Sequence, residues 1–131
     1  MPSRPHLLAV TMLLAASSPA SAEPSFDPPA ICRTAIAAIM DRDPKLMQTR
    51  TAADGIVMLT YARPIDNFVW AYRCRLDGNR VIWASEPGRW RDKAKDDKIL
   101  FEVVGGSQLR IIDNHANGTS TRQLFDRDKI E

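Results

Sequence analysis

Apolar positions along this chain change their spacing, and each change marks an element. Ile31, Cys32, Ala35, Ile36, Ile39 and Met40 recur at intervals of three and four, the spacing that gathers side chains onto one face of an α-helix. Asp27 followed by Pro28 supplies a capping acceptor and a residue with a preset φ for the first turn. Pro44 disfavours helical backbone at Asp43, so the helix is predicted to start after Asp27 and end near Asp41. Cys32 lies on its apolar side.

Beyond residue 46 the period drops to two. Residues 46–52 and 56–63 flank Asp54-Gly55, and the stretch 67–84 (NFVWAYRCRLDGNRVIWA) is centred on Asp77-Gly78. Asp-Gly between alternating apolar runs signals a β-hairpin, because the favoured two-residue turns need positive φ. With Asp77-Gly78 as the turn, Leu76 faces Asn79, Arg75 faces Arg80, Cys74 faces Val81 and Tyr72 faces Trp83. Phe68, Trp70, Tyr72 and Cys74 then share the core face with Val81 and Trp83, while Val69, Ala71 and Ile82 point outward. In the first hairpin both faces are mixed and neither is singled out as the core side.

Residues 85–97 (SEPGRWRDKAKDD) are too polar and too rich in turn formers for a strand and are expected to form the longest loop. Ile99, Phe101 and Val103 alternate, as do Leu109 and Ile111. A three-residue loop, Gly105-Gly106-Ser107, puts both sets on one face, pairing Val103 with Leu109 and Phe101 with Ile111, with Gly106 or Ser107 in the left-handed position. Asn117-Gly118 turns the chain into a last strand over 119–125, and the charged end 126–131 is expected to fray. The predicted fold class is α+β: one N-terminal helix packed on a curled antiparallel meander of six to seven strands, closing toward a small barrel.

The extreme N-terminus adds an address. MPSRPH, the apolar run LLAVTMLLAA and the small-residue segment SSPASA have the three parts of a secretory signal peptide, and the apolar run is too short to span a bilayer. The expected division is a signal peptide over 1–22, cleaved after Ala22, and a single disulfide-stapled domain over 23–131. The residue directly after Ala22 is Glu23 and not a cysteine, which argues against a lipid anchor, and no later segment is long and apolar enough to insert in a membrane. The Ala- and Arg-rich texture is bacterial, so the expected location is periplasmic or secreted. Cys32 and Cys74 are the two cysteines, and an even count in an exported chain predicts one disulfide.

Charge excludes one class of partner. Lys and Arg number 18 against 16 Asp and Glu, a balance that does not suit general nucleic-acid binding, which needs clustered cations to neutralise several phosphates. The chemistry on offer is sparse. Outside the leader there is one imidazole, His115, in the turn sequence DNHANG, where an exposed turn residue is expected. The serines lie in no Gly-x-Ser-x-Gly setting. Asp92, Asp96 and Asp97 sit among Arg91, Lys93, Lys95 and Lys98, which predicts a solvated charged loop rather than a paired-carboxylate or calcium site. No cofactor, no metal and no enzymatic activity are expected.

The candidate binding residues are Arg73, Arg75, Arg80, Arg89, Trp90 and Arg91. Arg75 directly opposite Arg80 would be destabilising unless something anionic answered the pair. Arg89-Trp90-Arg91 combines the residue types that dominate binding energetics, with Trp90 either presented to a partner or folded back to plug the open end of the sheet. The build, a leader followed by a compact one-disulfide β domain, resembles several families of small proteobacterial periplasmic proteins, the C-type lysozyme inhibitors among them. Those inhibitors carry a Ser-Gly-x-x-Tyr type loop that enters the lysozyme cleft. Here Gly105-Gly106-Ser107 and Ser85-Glu86-Pro87-Gly88 are only echoes of it, so the resemblance covers architecture and no residue is carried over. The expected function is a non-catalytic binding or accessory module of the bacterial envelope, its partner an envelope protein or an anionic glycan. The alternatives are an inhibitor of an envelope-attacking enzyme and, behind it, a small hydrolase.

Overall fold

The structure, a computed structural model, describes residues 2–5, 9–13 and 26–131. The expected cleavage position after Ala22 and most of the expected signal peptide over 1–22 lie outside the described residues. Helix α1 (Pro28–Met40) is capped as its sequence dictates: the Asp27 carboxylate accepts from the Ala30 N–H at 2.9 Å, and Asp41 closes the other end in the left-handed region at φ 54°. Thr34, buried mid-helix, satisfies its hydroxyl by donating to the Ala30 carbonyl at 2.7 Å.

Seven antiparallel strands follow: β1 (Met47–Thr51), β2 (Val57–Ala62), β3 (Val69–Asp77), β4 (Arg80–Ser85), β5 (Lys98–Val104), β6 (Gln108–Asn114) and β7 (Ser120–Asp126). They pair in strict chain order, as consecutive hairpins require, and the sheet curls around α1 as a half-barrel. Its concave face carries Met47, Val57, Leu59, Tyr61, Tyr72, Cys74, Val81, Trp83, Ile99, Leu109 and Ile111, all buried against Cys32, Ala35 and Ile36 of the helix. That settles the core side of the first hairpin. The Cys32–Cys74 disulfide forms as expected, with the Cα atoms 6.0 Å apart, and ties α1 to the centre of β3.

The Gly105-Gly106-Ser107 loop and its register hold, with Val103 opposite Leu109 and Phe101 opposite Ile111; positive φ falls on Gly105 and Gly106. The turn of the central hairpin sits one residue later than expected, which shifts the register by two. Asp77 pairs with Arg80, so the turn is Gly78-Asn79, with Gly78 at φ 58° in the first loop position. Positive φ at that position alone suits a type II′ turn, which competes directly with the type I′ turn expected at Asp77-Gly78. Cys74 therefore faces Trp83, and Arg75 faces Ile82 rather than Arg80. Because a shift of two matches the side-chain period of a strand, the face assignments of Tyr72, Cys74, Val81 and Trp83 survive.

Two other expectations fail for physical reasons, and a third, the outward direction of Ile82, holds with an unexpected burial. Phe68 and Trp70 point to the concave side but remain exposed, because β3 extends past the last turn of α1 and nothing covers them. Ile82, on the convex face, is buried, because the 85–97 segment is laid over that face. The C-terminus does not fray: Arg127–Ile130 form a short helix, α2, whose Ile130 is fully buried and whose Ile130 carbonyl accepts from Arg33 Nη1 at 3.0 Å. The irregular 85–97 loop itself is as expected. It fills a gap in the sheet, since β4 and β5 pair only at Arg80–Leu100 and Val81–Ile99.

Candidate functional site

The open mouth of the half-barrel lies at the C-terminal end of α1, where β1, β3, β5 and β7 begin and β2, β4 and β6 end. Three depressions of about 200, 180 and 150 Å³ ring this turn of the helix, and Ile39 or Met40 lines each of them. One wall is aromatic. Trp70 shares the smallest depression with Tyr61, Tyr72, Met40 and Arg42; Phe68 packs edge-on against Trp70 with centroids 5.1 Å apart, and the Arg63 guanidinium lies over Phe68. Arg63 is held by Asp66, whose carboxyl it pulls down to about 2 through their hydrogen bond, aided by the Phe68 N–H.

The opposite wall is polar and was not legible as a site in the sequence. Asp113 on β6 and His115, one residue past its end, are two apart, so they share the concave face, and the β5–β6 register carried one step past Lys98–Asn114 sets Asp97 across from His115. His115 Nδ1 lies 3.0 Å from Asp97 Oδ2 and 3.5 Å from Asp113 Oδ1, and Nε2 lies 2.8 Å from Thr121 Oγ1. Nδ1 facing two carboxylates carries the proton and donates to Asp97, which leaves Nε2 to accept from Thr121. Asp97 is also held by the Ala116 N–H at 3.2 Å. Burial pushes the Asp113 carboxyl up to about 6, reinforced by the neighbouring Asp97 carboxylate. Asp97 resists the same burial and sits below its ordinary value because His115 and the Ala116 N–H stabilise its charge. His115 is thus no exposed turn residue: its side chain is half-buried and bonded at both nitrogens. The turn-forming neighbours of His115 hid a cross-strand relation that only the register reveals.

The six arginine and tryptophan positions singled out from the sequence fall into three groups. Arg73, Arg75 and Trp90 form a stack on the convex face, with the guanidinium carbons 4.7 and 4.9 Å from the Trp90 ring centroid. Arg73 pairs with Glu86 and donates to the Gly88 carbonyl at 2.6 Å, and Arg75 lies 3.5 Å from Asp92. Trp90 therefore neither plugs the mouth nor stands free; it is half-buried against the outside of the sheet. Arg80 lies on the same face one rung away, opposite Asp77.

Arg89 and Arg91 form the third group. Arg89 makes a two-pronged bond to Asp96 at 2.6 and 2.8 Å, and this partner, with the Lys93 N–H, drives the Asp96 carboxyl far below its ordinary value. Arg91 crosses to the concave side, where its N–H donates to the Trp83 carbonyl at 2.9 Å and its guanidinium lies 4.8 Å from the Trp83 ring centroid. The charged loop faces solvent, as expected, but it is also internally bonded, with the Asp96 side chain only 5% exposed.

No protein-family model matches this chain, and no curated protein or solved structure matches it. Among the described residues, no helix is long and apolar enough to cross a membrane.

Proposed function

We propose that this protein is an exported, non-catalytic binding module of the bacterial envelope, and that it holds a glycan of the envelope at the aromatic wall of the mouth. The observation that carries the reading is the exposure of Phe68 and Trp70, at 53% and 43%, on the concave side. Two large aromatic rings left uncovered at the rim of a depression offer flat apolar faces on which a sugar ring stacks, and their exposure costs the free protein burial it could otherwise have had. Arg42 beside the same depression supplies a cation for an acidic sugar substituent. The disulfide, the leader-like N-terminus and the near-neutral charge fit an exported chain.

Soluble muropeptides titrated into the protein test this reading. Binding is expected to weaken at least tenfold in Trp70→Ala and in Phe68→Ala, with the fold intact by circular dichroism. Equal binding by both variants and the parent would end the proposal. A second reading rests on Ile65, 87% exposed on the loop between β2 and β3 beside Phe68: an apolar tip next to an aromatic pair suits insertion into a protein cleft, as an inhibitor of an envelope-attacking enzyme would require. Loss of lysozyme activity in the presence of the protein, relieved by Ile65→Asp, is the outcome that separates it from the first.

A further inference from the structure

The polar wall of the mouth holds two carboxylates and an imidazole aimed at one point. The ligand atoms of Asp97, Asp113 and His115 all lie within 4.8 Å of one another, against roughly 3.4 Å between donors bound to one small cation at about 2.1 Å. Modest rotation of the three side chains closes the set. We propose that Asp97, Asp113 and His115 form a binding site for a divalent transition cation of the zinc class, with a fourth position open to the mouth.

Four observations support this assignment. Asp113 Oδ1 is enclosed by protein and, among the described residues, has no hydrogen-bond partner. A carboxylate oxygen withdrawn from water without a donor is costly, and a cation placed between it and His115 Nδ1 would satisfy it. Second, two carboxylates beside each other repel, and the ion pairs of both reach only the imidazole; Arg91 and Lys95, which line the same depression as the two carboxylates, are beyond ion-pair distance of either.

Third, each ligand is already oriented from behind. The Ala116 N–H takes Asp97 Oδ1 and leaves Oδ2 to face inward. Thr121 Oγ1, at 2.8 Å from Nε2, accepts the Nε2 proton once Nδ1 has given up its own, the arrangement in which a metal-bound imidazole is held by its far nitrogen. Fourth, the site faces the C-terminal turn of α1, whose free carbonyl ends favour positive charge; the Ala38 carbonyl there accepts from Gln123, which lines the same depression as His115. One nitrogen and two oxygen donors select zinc or its neighbours over magnesium or calcium, which prefer all-oxygen sets. This departs from the expectation, drawn from one histidine and no free thiol, that the chain holds no metal. Binding at Nδ1 moves the proton of the neutral ring to Nε2, and because protons compete with the cation for the imidazole and the carboxylates, affinity falls as the solution is acidified.

Zinc chloride titrated into the full chain, followed by calorimetry and by the unfolding midpoint, tests the site. The expected result is one equivalent bound with micromolar or tighter affinity and a midpoint that rises with zinc concentration. His6 lies in the leader, so His6→Ala is expected to leave that binding unchanged. Asp113→Asn removes a buried charge and keeps the fold, and should weaken binding at least a hundredfold, as should His115→Gln. Thr121→Val, which removes only the support behind the imidazole, should weaken it about tenfold. Cobalt in place of zinc should give visible absorption without thiolate charge-transfer bands, since both cysteines are in the disulfide. No zinc binding by the parent at 100 µM, or equal binding by Asp113→Asn and His115→Gln, overturns the proposal.

Discussion

The Arg73 guanidinium lies 4.7 Å from the centroid of the Trp90 ring while its nitrogens bond Glu86 and the Gly88 carbonyl. One side chain thus fastens the 85–97 segment at three points to the convex face of β3. A Cβ at Gly88 would come within 2.8 Å of the Ser85 carbonyl oxygen, so the turn that delivers Gly88 to Arg73 is closed to larger residues. Trp90→Ala removes the stack with both Arg73 and Arg75 and uncovers Ile82, and should cost about 2 kcal/mol. Urea unfolding measures it, and a loss under about 0.5 kcal/mol would mean that the ring contributes little to the free fold.

Arg75 has both a ring and a carboxylate at hand, Trp90 at 4.9 Å and Asp92 at 3.5 Å. Arg75→Glu replaces an attraction with a repulsion at a partly exposed position and should destabilise the domain by about 1 kcal/mol, less at high salt. Stabilisation instead would revive the idea that this arginine is kept for an outside anion.

Asp96 ties the loop together through Arg89 and the Lys93 N–H. Its folded-state carboxyl is held below the ordinary 3.8, so its contribution is present above that pH and is lost as pH falls below it. Asp96→Asn should therefore lower the unfolding midpoint at pH 7, and the gap from the parent should narrow steadily below pH 3.8. A gap independent of pH would show that the carboxylate is missed for its hydrogen-bond geometry and not for its charge.

Ile130 is fully buried at the end of α2. Ile130→Ala should cost about 2 to 5 kcal/mol, the range for emptying a core position. A value below 1 kcal/mol in chemical denaturation would be the behaviour of a frayed tail.

Elements with redundant local signals were legible in the sequence. α1 is marked by its period, its Asp27 cap and its Pro28 start, and the β5–β6 register by the need to keep Val103, Phe101, Leu109 and Ile111 together. Where one signal stood alone, another outcome won: Asp77-Gly78 and Gly78-Asn79 both accept a two-residue turn, and only the folded hairpin selects the second. Trp70 shows that facing the core side is not the same as being in the core, since burial depends on where α1 stops. Trp70→Ala should accordingly cost far less than the 3 to 5 kcal/mol of a buried tryptophan. The candidate site was the least visible. Asp113 meets His115 through their spacing of two, but Asp97 and Thr121 meet it only through two inter-strand registers, which no spacing in the sequence encodes.

The two-rung pairing of β4 with β5 divides the molecule mechanically. On one side the disulfide clamps α1 to β3 and so to β1–β4 as a cross-linked body; on the other, β5, β6 and β7 are fully laddered to one another yet carry no cross-link to it. The weakest row of backbone bonds in the sheet therefore coincides with the edge of the cross-link, and partial opening should proceed by β5–β7 swinging off as a unit. Native-state amide exchange should then separate into two classes, with the amides of β5–β7 exchanging through an opening cheaper than the global one and those of β2 and β3 only on complete unfolding. Because Asp97, Asp113 and His115 belong to the opening half while Phe68 and Trp70 belong to the clamped one, the width of the mouth is set by the seam between them.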